Sequence, residues 1–288
     1  MWRVIWKQNP KAGLSGNHIN SSWSKRRNMS VYGRDFATVY NVKWAFWGPK
    51  MWSFLSPMVA KKLPQARTWL DLCCGAGSLL RLVDEDGFEA TGVDISRHQV
   101  QCARQNAPGA TLVVQDVRQL SLAREFDVVT CMFDSLNYLT TKQDLLKVFR
   151  KANRHLSRGG IFAFDMNTFE GLQDQWCKTS TTHEPDLTLI VETSFNPTRA
   201  LGRCLITGFI RTGTQYRRFQ EEHLERGYRA REIEDLLSRA GFEFRKYDGN
   251  SLGRPWKRSG RLLYVCRKAA PTKPSRRDGL KPAPDGNR

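Results

Sequence analysis

Short apolar runs and longer amphipathic stretches take turns along most of this chain. The runs at 68–74, 90–95, 111–116, 126–133 and 161–167 are nearly continuous in apolar residues, as strands buried on both faces are. The stretches at 78–86, 97–107 and 141–156 carry their apolar residues at helical spacing. Strand–helix alternation of this kind predicts an α/β fold with a parallel sheet. From residue 187 the pattern changes. The segments 187–195, 201–211 and 215–225 alternate apolar and polar positions, and Asn196-Pro197 and Gly213 separate them. They predict an antiparallel insert, read as a lid over the sheet. A helix at 229–240, closed by Gly241, and strands at 242–247 and 262–267 end the pattern. Near the other end, Tyr32, Phe36, Val39 and Tyr40 fall at helical spacing, ahead of an aromatic stretch with Trp44, Phe46, Trp47, Trp52 and Phe54.

The polar residues at the strand ends add chemistry. The first strand runs into Asp71-Leu72-Cys73-Cys74-Gly75-Ala76-Gly77. A strand that turns through glycines into a helix N-terminus is where an α/β sheet holds a nucleotide-like ligand. A Cβ at Gly75 or Gly77 would hold such a ligand off the backbone. Asp71 would accept from an ammonium or a hydroxyl. Asp94 closes the second strand roughly 20 residues past the glycines, where an acid meets ribose hydroxyls; Ser96 after it caps the next helix. Asp116 closes the third strand. The NAD fingerprint G-x-G-x-x-G is the rival reading, but its third glycine would fall at Leu80.

These residues resemble the class I S-adenosylmethionine-dependent methyltransferases, whose first motif is Asp/Glu-x-Gly-x-Gly-x-Gly. Asp71, Gly75 and Gly77 match, and Cys73 stands at the family's first glycine. The 32–40 segment is similar to the family's Tyr-x-x-Phe-Ala-x-x-Tyr helix, and 126–139 resembles its fourth motif. The resemblance implies a Rossmann-like, doubly wound, mostly parallel seven-stranded sheet with an antiparallel lid insert at about 187–225. It implies S-adenosyl-L-methionine as cofactor, held by Tyr40, Asp71, Cys73, Gly75, Ala76, Gly77, Asp94, Ile95, Asp116, Val117, Met132 and Phe133. Asp116 would bond the adenine amino group. Asp134, Asn137 and Tyr138 would lie beside the methyl group. Tyr138 would either orient an amine or hydroxyl or pack under the lid. His223, on a lid strand, would face the substrate or serve structure. The expected catalytic set is therefore Tyr138, Asp134 and His223.

The expected reaction is methyl transfer to nitrogen or oxygen of a small-molecule acceptor. The alternatives are an RNA or ribosome-associated methyltransferase and a non-catalytic S-adenosylmethionine-binding protein. The adenine-type Asp/Asn-Pro-Pro-Tyr/Phe signature is absent, since Asp134-Ser135-Leu136-Asn137 stands there. Cys131 lies inside its strand with no Pro beside it, unlike a cytosine C5 nucleophile.

The formal net charge of +18 is concentrated at the ends. Residues 1–28 carry Arg3, Lys7, Lys11, Lys25, Arg26 and Arg27 and no acid, and the last 22 residues carry seven Lys/Arg against Asp278 and Asp285. These tails would attract nucleic acid loosely or simply be solvated. The division expected is a basic extension at 1–28, a methyltransferase domain at 29–268 and a basic tail at 269–288, both ends disordered. Met29 is expected to be the true initiator; intact mass of the native protein tests it. No apolar run is long enough for a membrane span. Seven cysteines, an odd number with Cys73, Cys131, Cys204 and Cys266 inside apolar runs, read as reduced and buried in a cytoplasmic protein. No metal-ligand spacing is present, so no metal is expected. A monomer or homodimer is expected.

Overall fold

The computed structural model describes residues 32–269. The basic extension, the Met29 start and most of the basic tail lie outside the described residues. Seven strands form one sheet in the order β10-β11-β5-β4-β1-β2-β3. Strands β1 (Thr68–Leu72), β2 (Glu89–Asp94), β3 (Thr111–Val114), β4 (Phe126–Cys131) and β5 (Leu156–Asn167) run parallel. β11 (Arg261–Lys268) pairs antiparallel with β5 and with β10 (Phe242–Asp248). The sheet reverses its order at β1, between β2 and β4. The carboxyl ends of these strands therefore share one crevice.

Helices cover both faces. On one face α5 (Lys142–His155) and α7 (Ala230–Arg239) bury Leu145, Phe149, Ile233 and Leu237 against Leu70, Val129, Phe162 and Tyr264. On the other, α2 (Trp47–Lys62) and α3 (Ser78–Glu85) bury Met51, Leu55, Leu80 and Val83 against Trp69, Val128 and Ala163. Each fully buried Leu or Phe contributes roughly 1.5–3 kcal/mol. α4 (Arg97–Asn106) starts where the sequence predicts, its Ser96 Oγ accepting from the Gln99 N–H at 3.3 Å. Gly241, with φ +81°, closes α7.

A second sheet is wholly antiparallel, in the order β6-β7-β8-β9. Its strands are β6 (Thr179–Glu184), β7 (Leu187–Asn196), β8 (Leu201–Thr212) and β9 (Gln215–Arg226). The sequence predicts three strands here; the fourth, β6, is an exposed edge strand with no apolar alternation to betray it. Helix α1 (Arg34–Lys43) packs on this second sheet, not on the first: Phe36 and Val39 meet Leu189 and Ile206 in a separate small core. Short α6 (Phe169–Gln175) links the two sheets and carries no helical signal in the sequence.

Two expectations need correction. A strand is expected from 161, directly after Gly159-Gly160. Instead β5 begins at Leu156, and the glycines form a bulge where pairing to β4 shifts between Phe126 and Val128. A Cβ on Gly160 would lie 2.7 Å from the Asp127 carbonyl, which explains the glycine there. Of the cysteines expected to be buried, Cys131 and Cys266 are, whereas Cys73 and Cys204 are half-buried; all seven are free.

Candidate active site

The glycine turn is built from left-handed residues. Cys73, Gly75 and Gly77 have φ of +53°, +55° and +79°. The first glycine of the family motif thus stands at a position that needs positive φ, and Cys73 adopts it at a cost of about 1–2 kcal/mol. Above Gly75 the space is open except for the Tyr40 ring, 3.6 Å from where a Cβ would sit. A Cβ on Gly77 would press on Ala103 of α4 at 3.1 Å. Both glycines thus hold a left-handed φ that a side chain makes costly, and Gly77 also has α4 close against it.

Asp94 ties the turn to the end of β2. Its carboxylate accepts from the Gly75 N–H at 2.9 Å and from the Ser96 N–H at 2.8 Å. Burial pushes its carboxyl up, and the two N–H groups hold that rise back. Ile95 beside it is 62% exposed, an apolar side chain left without cover. Asp116 accepts from the Arg118 backbone at 2.8 Å and from its guanidinium, which holds the carboxyl below its usual range. Its oxygens are thus occupied by Arg118, and Val117 is buried at the start of a short 3-10 turn.

Asp71 is 3% exposed and has one hydrogen bond, from Thr130 Oγ1 at 2.7 Å. Burial raises its carboxyl to about 7, and no cation among the described residues pairs with it. It lines a cavity with Tyr40, Trp44, Trp47, Cys73, Gly75, Ala76, Met132 and Phe133. The aromatic rings leave only about 30 Å³ open to a water-sized sphere. A wider, open groove of about 390 Å³ lies between 120–125 and 151–155, at the opposite edge of the sheet where β4 begins.

The end of β4 is equally specific. Phe133 and Asp134 both have positive φ, +61° and +48°. Asp165 holds this kink by accepting from the Phe133 N–H at 2.6 Å and the Asp134 N–H at 3.3 Å. Arg261, 11% exposed, ion-pairs with both Asp134 and Asp165. Asn167 Nδ2 donates to Asp134 at 2.6 Å and to Glu225 at 3.0 Å. Burial and the neighbouring Asp134 raise the Glu225 carboxyl well above its ordinary value. Asn137 holds Asn167 in place through both its backbone groups.

Tyr138 and His223 meet: the hydroxyl lies 2.9 Å from His223 Nδ1 and 3.2 Å from the Tyr32 hydroxyl. Burial lowers His223 to about 4, so its ring is neutral at pH 7. Its Nε2 is buried with no protein partner. Glu221, His223 and Glu225 alternate along the inner face of β9 and are all under 10% exposed. Glu221 accepts from the Tyr32 and Gly33 N–H groups at 3.0 and 2.9 Å, fastening the start of α1 to the sheet.

The structure thus brings the expected residues into two adjoining groups. Tyr40, Asp71, Cys73, Gly75, Ala76, Gly77, Met132 and Phe133 surround the turn, with Asp94, Ile95, Asp116 and Val117 along the ends of β2 and β3. Tyr138 and Asp134 lie beneath β9, whose inner face carries His223. Sequence reasoning missed Trp47, Asp165, Asn167, Glu225 and Arg261 as site residues. Only Glu225 left a signal, the period-two placement of acids around His223. Among the described residues, no group of His, Cys, Asp and Glu is arranged to hold a metal ion, and no helix is long and apolar enough to cross a membrane.

A parallel sheet in this order, with an open glycine turn and acids closing its first three strands, has the architecture of a nucleotide-cofactor enzyme of the class I methyltransferase type. A family model described as "Methyltransferase domain" matches residues 70–160, from β1 into the start of β5. YqeM of Bacillus subtilis is 28% identical over 240 residues, covering 81% of this chain and 96% of its own. A Streptomyces venezuelae dTDP-3-amino-3,4,6-trideoxy-alpha-D-glucopyranose N,N-dimethyltransferase is 27% identical over 204 residues, covering 70% and 86%. The crystal structure of an S-adenosylmethionine-dependent methyltransferase from Clostridium acetobutylicum superposes with a TM-score of 0.73 at 27% identity, covering 82% and 98%. The family match and these relatives support a class I S-adenosylmethionine-dependent methyltransferase, with S-adenosyl-L-methionine as its cofactor. The residues present fit that group: only the Tyr40 ring stands over Gly75, and Asp71 offers a buried carboxylate with no ion-pair partner among the described residues.

Proposed function

We propose that the enzyme methylates the nitrogen of a small-molecule amine seated between the end of β4 and the inner face of β9. S-adenosyl-L-methionine supplies an electrophilic methyl group on a sulfonium. Everything else falls to the chain, as positioning and electrostatics. In this reading the backbone at Gly75, Ala76 and Gly77 lies against the cofactor, and Cys73 helps wall the cavity. Asp94 receives the ribose hydroxyls, and Asp71 receives the ammonium. Ile95 and Val117 flank the adenine. Asp116 takes the adenine amino group only if Arg118 yields part of its carboxylate. Tyr40, Met132 and Phe133 close around the methyl-bearing end.

The observation that carries the acceptor reading is the Tyr138–His223 hydrogen bond beneath β9. It fixes the phenol where an acceptor could be oriented, next to Asp134 and Glu225. Asp134 and Asp165 share the Arg261 guanidinium, and Asn167 links Asp134 to Glu225; this acidic surround suits an amine that arrives as its ammonium and gives its proton to water before its lone pair takes the methyl. The likeness to an amino-sugar N,N-dimethyltransferase supports nitrogen over oxygen. Neutral His223 holds Tyr138 in place rather than acting as a strong base. Seven unpaired cysteines support a cytoplasmic setting, with the enzyme working as a monomer or homodimer. The nucleic-acid alternative rests on the basic tails, which lie outside the described residues.

The test follows methyl-labelled S-adenosylmethionine into a size-fractionated host extract. Label in the small-molecule fraction, on an amine, is the expected result. Label retained on RNA or protein overturns the reading.

A further inference from the structure

The methionine half of the cofactor ends in an ammonium and a carboxylate. Asp71 suits the first. Among the other expected cofactor residues only Tyr40 carries a strong side-chain donor for the second, and it brings no balancing charge. A carboxylate taken from water needs a buried donor and a balancing charge.

Trp47 offers the donor. It opens α2, is 8% exposed, and lines the same cavity as Asp71, Gly75 and Phe133. Its Nε1–H is buried and has no hydrogen-bond partner among the described residues. An unmet buried N–H is costly, and buried donors are otherwise nearly always satisfied. The neighbouring residue explains how Trp47 comes to lie there. A Cβ on Gly48 would sit 2.5 Å from the Ser78 carbonyl carbon and oxygen. The first turn of α2 therefore touches the first residue of α3, directly after the glycine turn.

Two cations approach the Trp47 ring, Lys50 Nζ at 4.3 Å and the Arg261 guanidinium at 4.7 Å from the centroid. Cations so placed polarise the indole and make its N–H a better donor. They differ in what else they hold. Arg261 is ion-paired with Asp134 and Asp165. Lys50 donates to the Gly249 carbonyl at 3.4 Å and feels Asp165 and Asp248, but it makes no ion pair among the described residues.

We infer that Trp47 reads the α-carboxylate of the cofactor through its Nε1–H, with Lys50 supplying the opposing charge. Asp71 and Trp47 then grip the two ends of one zwitterion. A cofactor fragment without that zwitterion loses both contacts. The inference rests on the cofactor assignment, which binding of S-adenosylhomocysteine by the unaltered protein tests separately.

The experiment is titration calorimetry on the full chain with two probes. S-adenosylhomocysteine keeps the amino-acid end; 5′-methylthioadenosine lacks it. Trp47→Phe keeps a ring and removes the donor. The expected result is a 10- to 100-fold rise in Kd for S-adenosylhomocysteine, with 5′-methylthioadenosine within twofold of the unaltered protein. Equal losses for both probes would make Trp47 a packing residue and overturn the inference. An unchanged S-adenosylhomocysteine Kd would do the same. Lys50→Met is the second variant, and it decides the matter if circular dichroism shows Trp47→Phe unfolded. Its expected effect is a three- to tenfold loss for S-adenosylhomocysteine alone, with a flatter salt dependence; no loss would overturn the role of the pair.

Discussion

The two groups of residues at the carboxyl edge are built on different principles. Around the glycine turn, side chains bond to backbone that is close in sequence: Asp94 to Ser96 two residues on and to Gly75 nineteen residues back. Beneath β9, side chains bond to side chains far away: Asp134 to Arg261, 127 positions on, and Tyr138 to His223, 85 positions on. The first arrangement is fixed once two strands and a turn form. The second exists only after both sheets have packed. The turn should therefore tolerate little change at single backbone positions, while the β9 side should respond to charge and to the fit between sheets.

Gly48→Ala offers the strongest test of that contrast. The new Cβ meets the Ser78 backbone at 2.5 Å, and backbone cannot rotate away as a side chain can. Overpacking of this kind costs typically 1–3 kcal/mol. It should also shift α2 off the turn and weaken S-adenosylhomocysteine binding at least tenfold. Urea unfolding and calorimetry measure the two effects. Full affinity in a destabilised variant would mean that the turn does not depend on α2.

A change at Asp71 tests the turn by pH. Its carboxyl is raised to about 7 from an ordinary 3.8. The proton-linked stability is therefore fully present below pH 3.8 and is lost as pH rises through 7. Asp71→Asn removes that dependence. The variant should outlast the unaltered protein by a margin that widens from pH 4 and levels above pH 7 at roughly 4 kcal/mol. A cationic ligand favours the carboxylate, so S-adenosylhomocysteine binding near pH 6 should release a proton. Calorimetry in two buffers of different ionisation enthalpy reads it directly. No proton release at pH 6 would remove Asp71 from the ammonium role.

Paired substitutions separate the two groups. Asp94→Ala removes the acceptor that holds the Gly75 N–H, and should weaken S-adenosylhomocysteine by roughly 1–3 kcal/mol. Glu225→Gln replaces a buried carboxyl on the β9 side with a group that cannot ionise, and should leave that affinity unchanged. Burial raises the Glu225 carboxyl, so its stabilising protonation is lost as pH rises. The variant should accordingly be more stable than the unaltered protein in alkaline buffer, measured as a higher Tm. Parallel loss of affinity in both variants would show that the groups are not separable.

The same difference decides what was legible in the sequence. The parallel sheet, its strand-end acids and the Ser96 cap could be read because each depends on a local pattern of apolar runs and turn chemistry. The partners of those acids were not legible in full: Arg118 lies two residues from Asp116, yet nothing in the motif says that it will occupy the carboxylate. On the β9 side, Asp134, Tyr138 and His223 were picked out, but Asp165, Asn167 and Arg261 were not. Asp165 and Asn167 sit in an apolar strand, and Arg261 opens the last one; their roles follow only from the pairing of β5 with β11. Strand β6 and helix α6 were missed for lack of apolar periodicity. Helix α2 was hidden in an aromatic stretch, and with it Trp47.

Cys73 marks the limit of tolerance at the turn. With φ +53° it is a non-glycine residue in left-handed conformation, which costs about 1–2 kcal/mol. Glycine there removes that cost, but gives back roughly 0.5–1 kcal/mol in chain entropy and a few side-chain contacts with the core. Cys73→Gly should therefore gain only about 0.5 kcal/mol in urea unfolding, with S-adenosylhomocysteine affinity unchanged. The turn keeps its shape because Gly75 and Gly77 carry the positions where a Cβ would meet ligand or helix. A marked loss of affinity in Cys73→Gly would show instead that the thiol shapes the cavity, and that the departure from the glycine pattern is a functional choice rather than a tolerated strain.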